Sequence, residues 1–79
     1  MEKNVSIYAI VNGDKYEVTW LWFKEDNDVE HLIRISTISY VSKDGQSLAI
    51  TSNGETETYY MAEEDINSII QGIARGGYK

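Results

Sequence analysis

The sequence predicts an α+β fold: a five-stranded, mainly antiparallel, twisted β-meander with one C-terminal α-helix packed on it. Three observations carry that expectation. Asn12-Gly13, Asp44-Gly45 and Asn53-Gly54 each sit between alternating apolar segments, and such dipeptides favour hairpins because tight turns need positive φ. Proline is absent, so turns fall to glycine, Asn and Asp. The apolar period changes once, near the end. There Ile66, Ile69, Ile70 and Ile73 fall at i, i+3, i+4 and i+7, the stripe of an amphipathic helix.

The elements follow in order. Strands are expected over Val5 to Val11 and Lys15 to Lys24, joined at Asn12-Gly13. The polar run Glu25 to Asp28 breaks the pattern. A third strand, Val29 to Val41, is longer than strands usually run, and its apolar parity fails between Ile35 and Ile38. A bulge or corner at Ser36-Thr37 accounts for both. Strands over Ser47 to Ser52 and Thr56 to Met61 complete the sheet. The helix begins with Glu63, Glu64 and Asp65, which suit the positive end of its dipole, and stops at Gly76-Gly77 after Arg75.

The stretch Val18 to Lys24, VTWLWFK, is apolar on both faces. A two- or four-residue loop at Asn12-Gly13 groups Val5, Ile7, Ala9, Tyr16, Val18, Trp20 and Trp22 on one face. That face is expected to be the core. With a three-residue loop at Lys43-Asp44-Gly45 and a two-residue turn at Asn53-Gly54, it gains Ile33, Ile35, Ile38, Tyr40, Leu48, Ile50, Tyr59 and Met61. Leu21 and Phe23, with Tyr8 and Ile10 opposite, are then left as a second apolar patch that one helix cannot cover. Either the sheet curls into a partial barrel, or the patch meets a protein partner or a second copy of the chain.

At 79 residues the chain fits a single domain, 1–79. Hydrophobic residues at 42% and charged residues at 25% describe a globular chain rather than a disordered one. Cysteine is absent, which fits a reducing cytoplasm. No apolar run approaches the length that spans a bilayer, and the N-terminus lacks the pattern of a signal peptide. Thirteen acids against seven Lys and Arg give a formal charge of −6. Phosphate backbones recruit cations, so this balance speaks against direct nucleic-acid binding and suits a protein partner with a basic surface.

No catalytic motif stands out. His31 is the single histidine. The acids from Asp26 to Glu30 start like a calcium loop, but His31 replaces its glycine and Thr37 its final glutamate. No catalytic residue, metal ligand or cofactor is expected, and the protein is read as a non-enzyme. The expected contacts with a partner are Tyr8, Leu21 and Phe23 of the apolar patch and Glu25, Asp26, Asp28 and Glu30 of the acidic loop.

Two resemblances extend this reading. The stretch Ile35 to Met61, ISTISYVSKDGQSLAITSNGETETYYM, resembles the strand pattern of LytTR-type DNA-binding domains, where an Ile-x-Tyr strand precedes a hairpin and a short helix. It implies a transcriptional or nucleic-acid-linked regulator as the alternative function. In bulk properties, a short, acidic, cysteine-free chain without catalytic residues resembles the small anti-defence inhibitors carried by phages, such as anti-CRISPR proteins. That resemblance implies a stoichiometric inhibitor of a nucleic-acid-handling complex that acts by occupying a basic surface.

Overall fold

A computed structural model of the chain describes residues 4–12 and 15–76, with the backbone alone for 9–12, 15–19 and 76. The class is α+β, as expected, but among the described residues six strands in two sheets replace the five of a single meander. The first sheet runs β1 (Val5–Asn12), β2 (Lys15–Lys24), β3 (Glu30–Arg34) in that spatial order. The second runs β4 (Ile38–Asp44), β5 (Ser47–Ser52), β6 (Glu55–Tyr60). All pairings are antiparallel, and no closed barrel forms.

The corner expected at Ser36-Thr37 is a 3-10 turn over Ile35–Thr37, sharp enough to split the long third strand in two. Thr37 fixes it. Its hydroxyl donates to the Arg34 carbonyl at 2.7 Å and lies 2.6 Å from the Ser52 hydroxyl. Its own carbonyl accepts the Asn53 N–H at 3.2 Å. Ile35 turns inward at this point and is buried.

The face of β2 is the reverse of that expected, while Val5 on β1 and Ile33 on β3 pack on the core as expected, and the cause is one residue. Near the first turn Val11 pairs with Tyr16, the parity foreseen for Asn12-Gly13. Gly13 itself lies outside the described residues. Ile10 then pairs with Val18, so β2 carries an extra residue, Glu17, in a β-bulge. A single inserted residue moves every later side chain to the other face. Val5 therefore stands opposite Phe23 and Ile7 opposite Leu21. Leu21 and Phe23 are fully buried at 0% exposure. Trp20 and Trp22 look the other way and are half-buried. The side chains of Ala9, Ile10, Tyr16 and Val18, also assigned to faces from sequence, lie outside those described.

In the second sheet the turn at Asp44-Gly45 closes tighter than expected. Asp44 pairs with Ser47, leaving two residues between them, and Gly45 alone supplies the positive φ, +62°. That is the pattern of a II′ turn. The expected loop would pair Ile38 with Ile50 and Tyr40 with Leu48; instead Val41 faces Ile50, Lys43 faces Leu48, and Tyr40 is 63% exposed. The Asn53-Gly54 turn is as expected, with positive φ at both residues and Tyr59 opposite Leu48.

The helix α1 (Glu63–Gly76) lies against β1, β2 and β5 and closes the core. Ile66 and Ile69 are completely buried among Leu21, Phe23, Leu48, Ile50, Tyr59 and Met61, while Ile70 and Ile73 pack at the margin. Burying each of the two inner isoleucines is worth about 1.5–3 kcal/mol. Asn4 Nδ2 donates to Asp65 Oδ2 at 3.1 Å, tying the start of β1 to the first helical turn. Gly77, expected in the helix stop, lies outside the described residues. Gly72 has a packing role that the turn-based reading of glycines overlooked. A β-carbon there would sit 2.8 Å from Ile7 Cδ1, so its absence lets α1 approach β1.

Candidate functional site: the outer face of the first sheet

With Leu21 and Phe23 turned inward, the opposite face of the same strands carries grouped apolar side chains on which no described element packs. Two cross-strand rows build it. Tyr8, Trp20 and Arg34 are aligned across β1, β2 and β3, and Ser6, Trp22 and Leu32 form the next row. Side chains directly opposite one another in a sheet point to the same side. Tyr8 is 54% exposed and Leu32 56% exposed, against a background in which Leu21 and Phe23 beneath them see no solvent.

The face is held by a specific contact. Trp22 Nε1–H donates to Glu30 Oε1 at 3.0 Å. An indole whose N–H is bound keeps its ring in one orientation, and the ring surface is left for packing. The two rows span three strands and two pleat repeats, on the order of 200 Å². That is about a quarter of the roughly 800 Å² per partner that a stable interface buries, so flanking residues would have to supply the rest.

The acidic loop adjoins this face, but its four acids have different occupations. Glu25 is structural. His31 Nε2–H donates to its Oε1 at 2.8 Å, and the Tyr60 backbone N–H donates to its Oε2 at 2.9 Å. Partial burial pushes the Glu25 carboxyl up. The Tyr60 N–H, the His31 hydrogen bond and the His31 charge act together against it, and the pKa lies below the ordinary 4.5. His31 in turn packs against the rings of Phe23 and Tyr59, at 4.9 and 4.6 Å. Burial, then the charges of Glu57 and Glu25, raise the Tyr59 hydroxyl above its usual value.

Asp28 adopts a left-handed backbone, φ +69°, and completes a turn in which its N–H donates to the Glu25 carbonyl at 2.9 Å. Asn27 Oδ1 accepts the Val29 N–H at 3.0 Å. Glu30 holds Trp22. Asp26 is exposed, and its side chain makes no contact within the loop. So of the expected contact residues, Tyr8, Asp26, Asp28 and Glu30 are exposed at one end of the first sheet and on its outer face. Leu21 and Phe23 are core residues and not a patch, and Glu25 is a latch between the β2–β3 turn and β6.

Sequence reasoning missed Trp20, Trp22, Leu32 and Arg34. A signal was present. The β2–β3 turn is short, and Ile33 was already placed in the core. Strand pairing across that turn puts Ile33 opposite Leu21 and His31 opposite Phe23, which sends the tryptophans outward. Among the described residues, no group of three or more His, Cys, Asp or Glu side chains is arranged to hold a metal ion. No helix among them is long and apolar enough to cross a membrane. Comparison with known proteins adds no relative: no family model, no curated protein and no solved structure matches the chain.

Proposed function

We propose that this protein is a non-enzymatic binding module that docks a cationic protein surface on the outer face of its first sheet. The observation that carries the reading is the grouping of Tyr8, Trp20, Trp22 and Leu32 on one face, with Glu30 fixing the indole of Trp22. Aromatic side chains of this kind supply large contact area at low entropic cost and are enriched at the centres of interfaces. The adjoining acids Asp26, Asp28 and Glu30 and the net charge of −6 favour a basic partner and disfavour phosphate backbones.

The finer form of the proposal is stoichiometric inhibition. A protein surface that binds nucleic acid is basic, and an acidic module with an aromatic centre competes for it directly. Inhibition of a nucleic-acid-handling complex, of the phage anti-defence kind, is the setting in which that chemistry acts.

The test is capture of a partner by the wild-type chain from a host lysate, followed by capture with Tyr8→Ser combined with Leu32→Ser. Both residues are exposed, so the double change leaves the core intact. Loss of the captured protein is expected, while Tyr40→Ser combined with Tyr60→Ser, on the second sheet, retains it. Retention by the first variant and loss by the second would move the site to the other sheet. For the finer form, the captured complex is assayed for nucleic-acid binding with and without one equivalent of the chain, and competition is expected.

A further inference from the structure

We propose that β3 pairs edge to edge with β3 of a second copy of this chain, across a two-fold axis at Leu32. Among the described residues the first sheet ends at β3, and no described strand pairs with its outer edge. Monomeric proteins guard such edges with charges that repel a second copy. The charges on β3 do the opposite. Glu30 and Arg34 lie two residues on either side of Leu32 and share its face of the sheet. In an antiparallel self-pairing centred on Leu32, each Glu30 stands directly across from Arg34 of the second copy, and a carboxylate whose Oε1 accepts the Trp22 N–H can accept at its other oxygen as well. His31 then faces Ile33, and Leu32 faces itself. Opposite charges in directly facing positions stabilise an antiparallel pair, and a two-fold axis supplies the contact twice.

The other edges lack this arrangement. β6 carries Glu55 and Glu57 and no base, so it repels itself. In β4 the base Lys43 is already engaged with the helix, donating to Asn67 Oδ1 at 2.7 Å with Glu63 nearby at 3.7 Å. β1 has no charged residue to set a register. Arg34, by contrast, is exposed at a free edge, and a second copy brings it a carboxylate.

The pairing also explains the exposure of Leu32. Across the axis, Trp22, Leu32, Leu32 of the second copy and its Trp22 form one unbroken apolar row. The strands join in the plane of the sheet, so the docking face stays open and doubles in width. The inference shares Leu32 and Glu30 with the docking face, but its test reads the oligomeric state of the chain alone, without a partner. A five-residue strand pairing is at the small end of stable interfaces, and the dimer is expected to depend on concentration. At 0.15 M salt the Debye length of about 8 Å screens most of the repulsion between two acidic copies but not the facing pairs.

The chain has no cysteine, which makes the geometry directly testable. Residues facing across an antiparallel pair have Cα atoms about 4.5–5.5 Å apart, within disulfide reach. Leu32→Cys is expected to form a disulfide-linked dimer under mild oxidation much faster than Tyr40→Cys, an exposed thiol on another edge. Equal rates for the two would overturn the proposal. Light scattering of the wild type should show the mass rising from 9.0 kDa toward twice that value with concentration. A chain that stays at 9.0 kDa up to about 1 mM, the weak limit of specific association, would overturn it too. Arg34→Glu should hold the chain monomeric, and adding Glu30→Arg should restore the dimer. A reversal that stays folded and monomeric contradicts the register, and if either charge variant fails to fold, the thiol comparison still decides.

Discussion

Glu25 shows how a residue that looks like part of a solvated acidic run is committed to holding the fold. Its carboxylate bridges His31 on β3 and the backbone of Tyr60 at the end of β6, contacts that join the two sheets. Because its folded pKa is depressed, the stabilisation is present above the unfolded value of about 4.5 and is lost as pH falls through the lower folded value. Glu25→Gln is expected to cost about 1–2 kcal/mol at pH 7, the range for hydrogen bonds to a charged group with partial solvent access. The gap from wild type should shrink once the pH falls below 4.5 toward the folded value. Urea midpoints at pH 7 and pH 3 check this, and a gap that is constant with pH would mean that the carboxylate charge contributes nothing. Asp28 is a second case. Its left-handed φ is a backbone requirement that Asn or Gly meets as well, so its charge is free for another purpose.

At the scale of elements, the helix, most strands and the core face of the second sheet (Leu48, Ile50, Tyr59 and Met61) were legible in the sequence, and the face of β2 was not. The isoleucine period announced α1, and within that stripe Ile66 and Ile69 are buried while Ile70 and Ile73 lie at the margin. Ile69→Ala should therefore destabilise by roughly 2–5 kcal/mol and Ile70→Ala by clearly less. Equal losses in denaturant midpoint would contradict that placement. Asn53-Gly54 set its register correctly, because both turn residues take the positive φ that the dipeptide favours. The first hairpin failed for a physical reason. Parity propagates from a turn only while the ladder is unbroken, and no residue type marks the bulge at Glu17. The same bulge decides the candidate site, since it sends Trp20 and Trp22 outward. Tyr8 and the acids of the loop were legible because they did not depend on it. Deleting Glu17 should turn the bulge into a regular ladder, with Val18 still opposite Ile10 and Leu21 still opposite Ile7, so the core pairing is kept and the urea midpoint should change little. A large fall in midpoint would show that the bulge itself supports the fold.

The molecule as a whole is thin, with extents of 39 × 33 × 18 Å, so one helix and two small sheets form a single core and much sheet surface stays open. Its acidity gives that surface a preference. Asp26→Asn combined with Asp28→Asn removes two charges beside the docking face while preserving turn preference. For a captured basic partner the association rate should fall, with a shallower dependence on salt and little change in dissociation. Stopped-flow measurement at several ionic strengths checks this, and a rate unaffected by both salt and mutation would remove the loop from recognition. The central claim, that the tryptophan face is the docking surface, has a built-in reporter, because Trp20 and Trp22 are the chain's two tryptophans and both lie on that face. The decisive measurement is acrylamide quenching of their fluorescence in the free chain and in the complex, excited above 295 nm with a partner whose own tryptophans have been replaced. The account predicts ready quenching in the free protein and strong protection in the complex. Quenching that is the same in both states would contradict it.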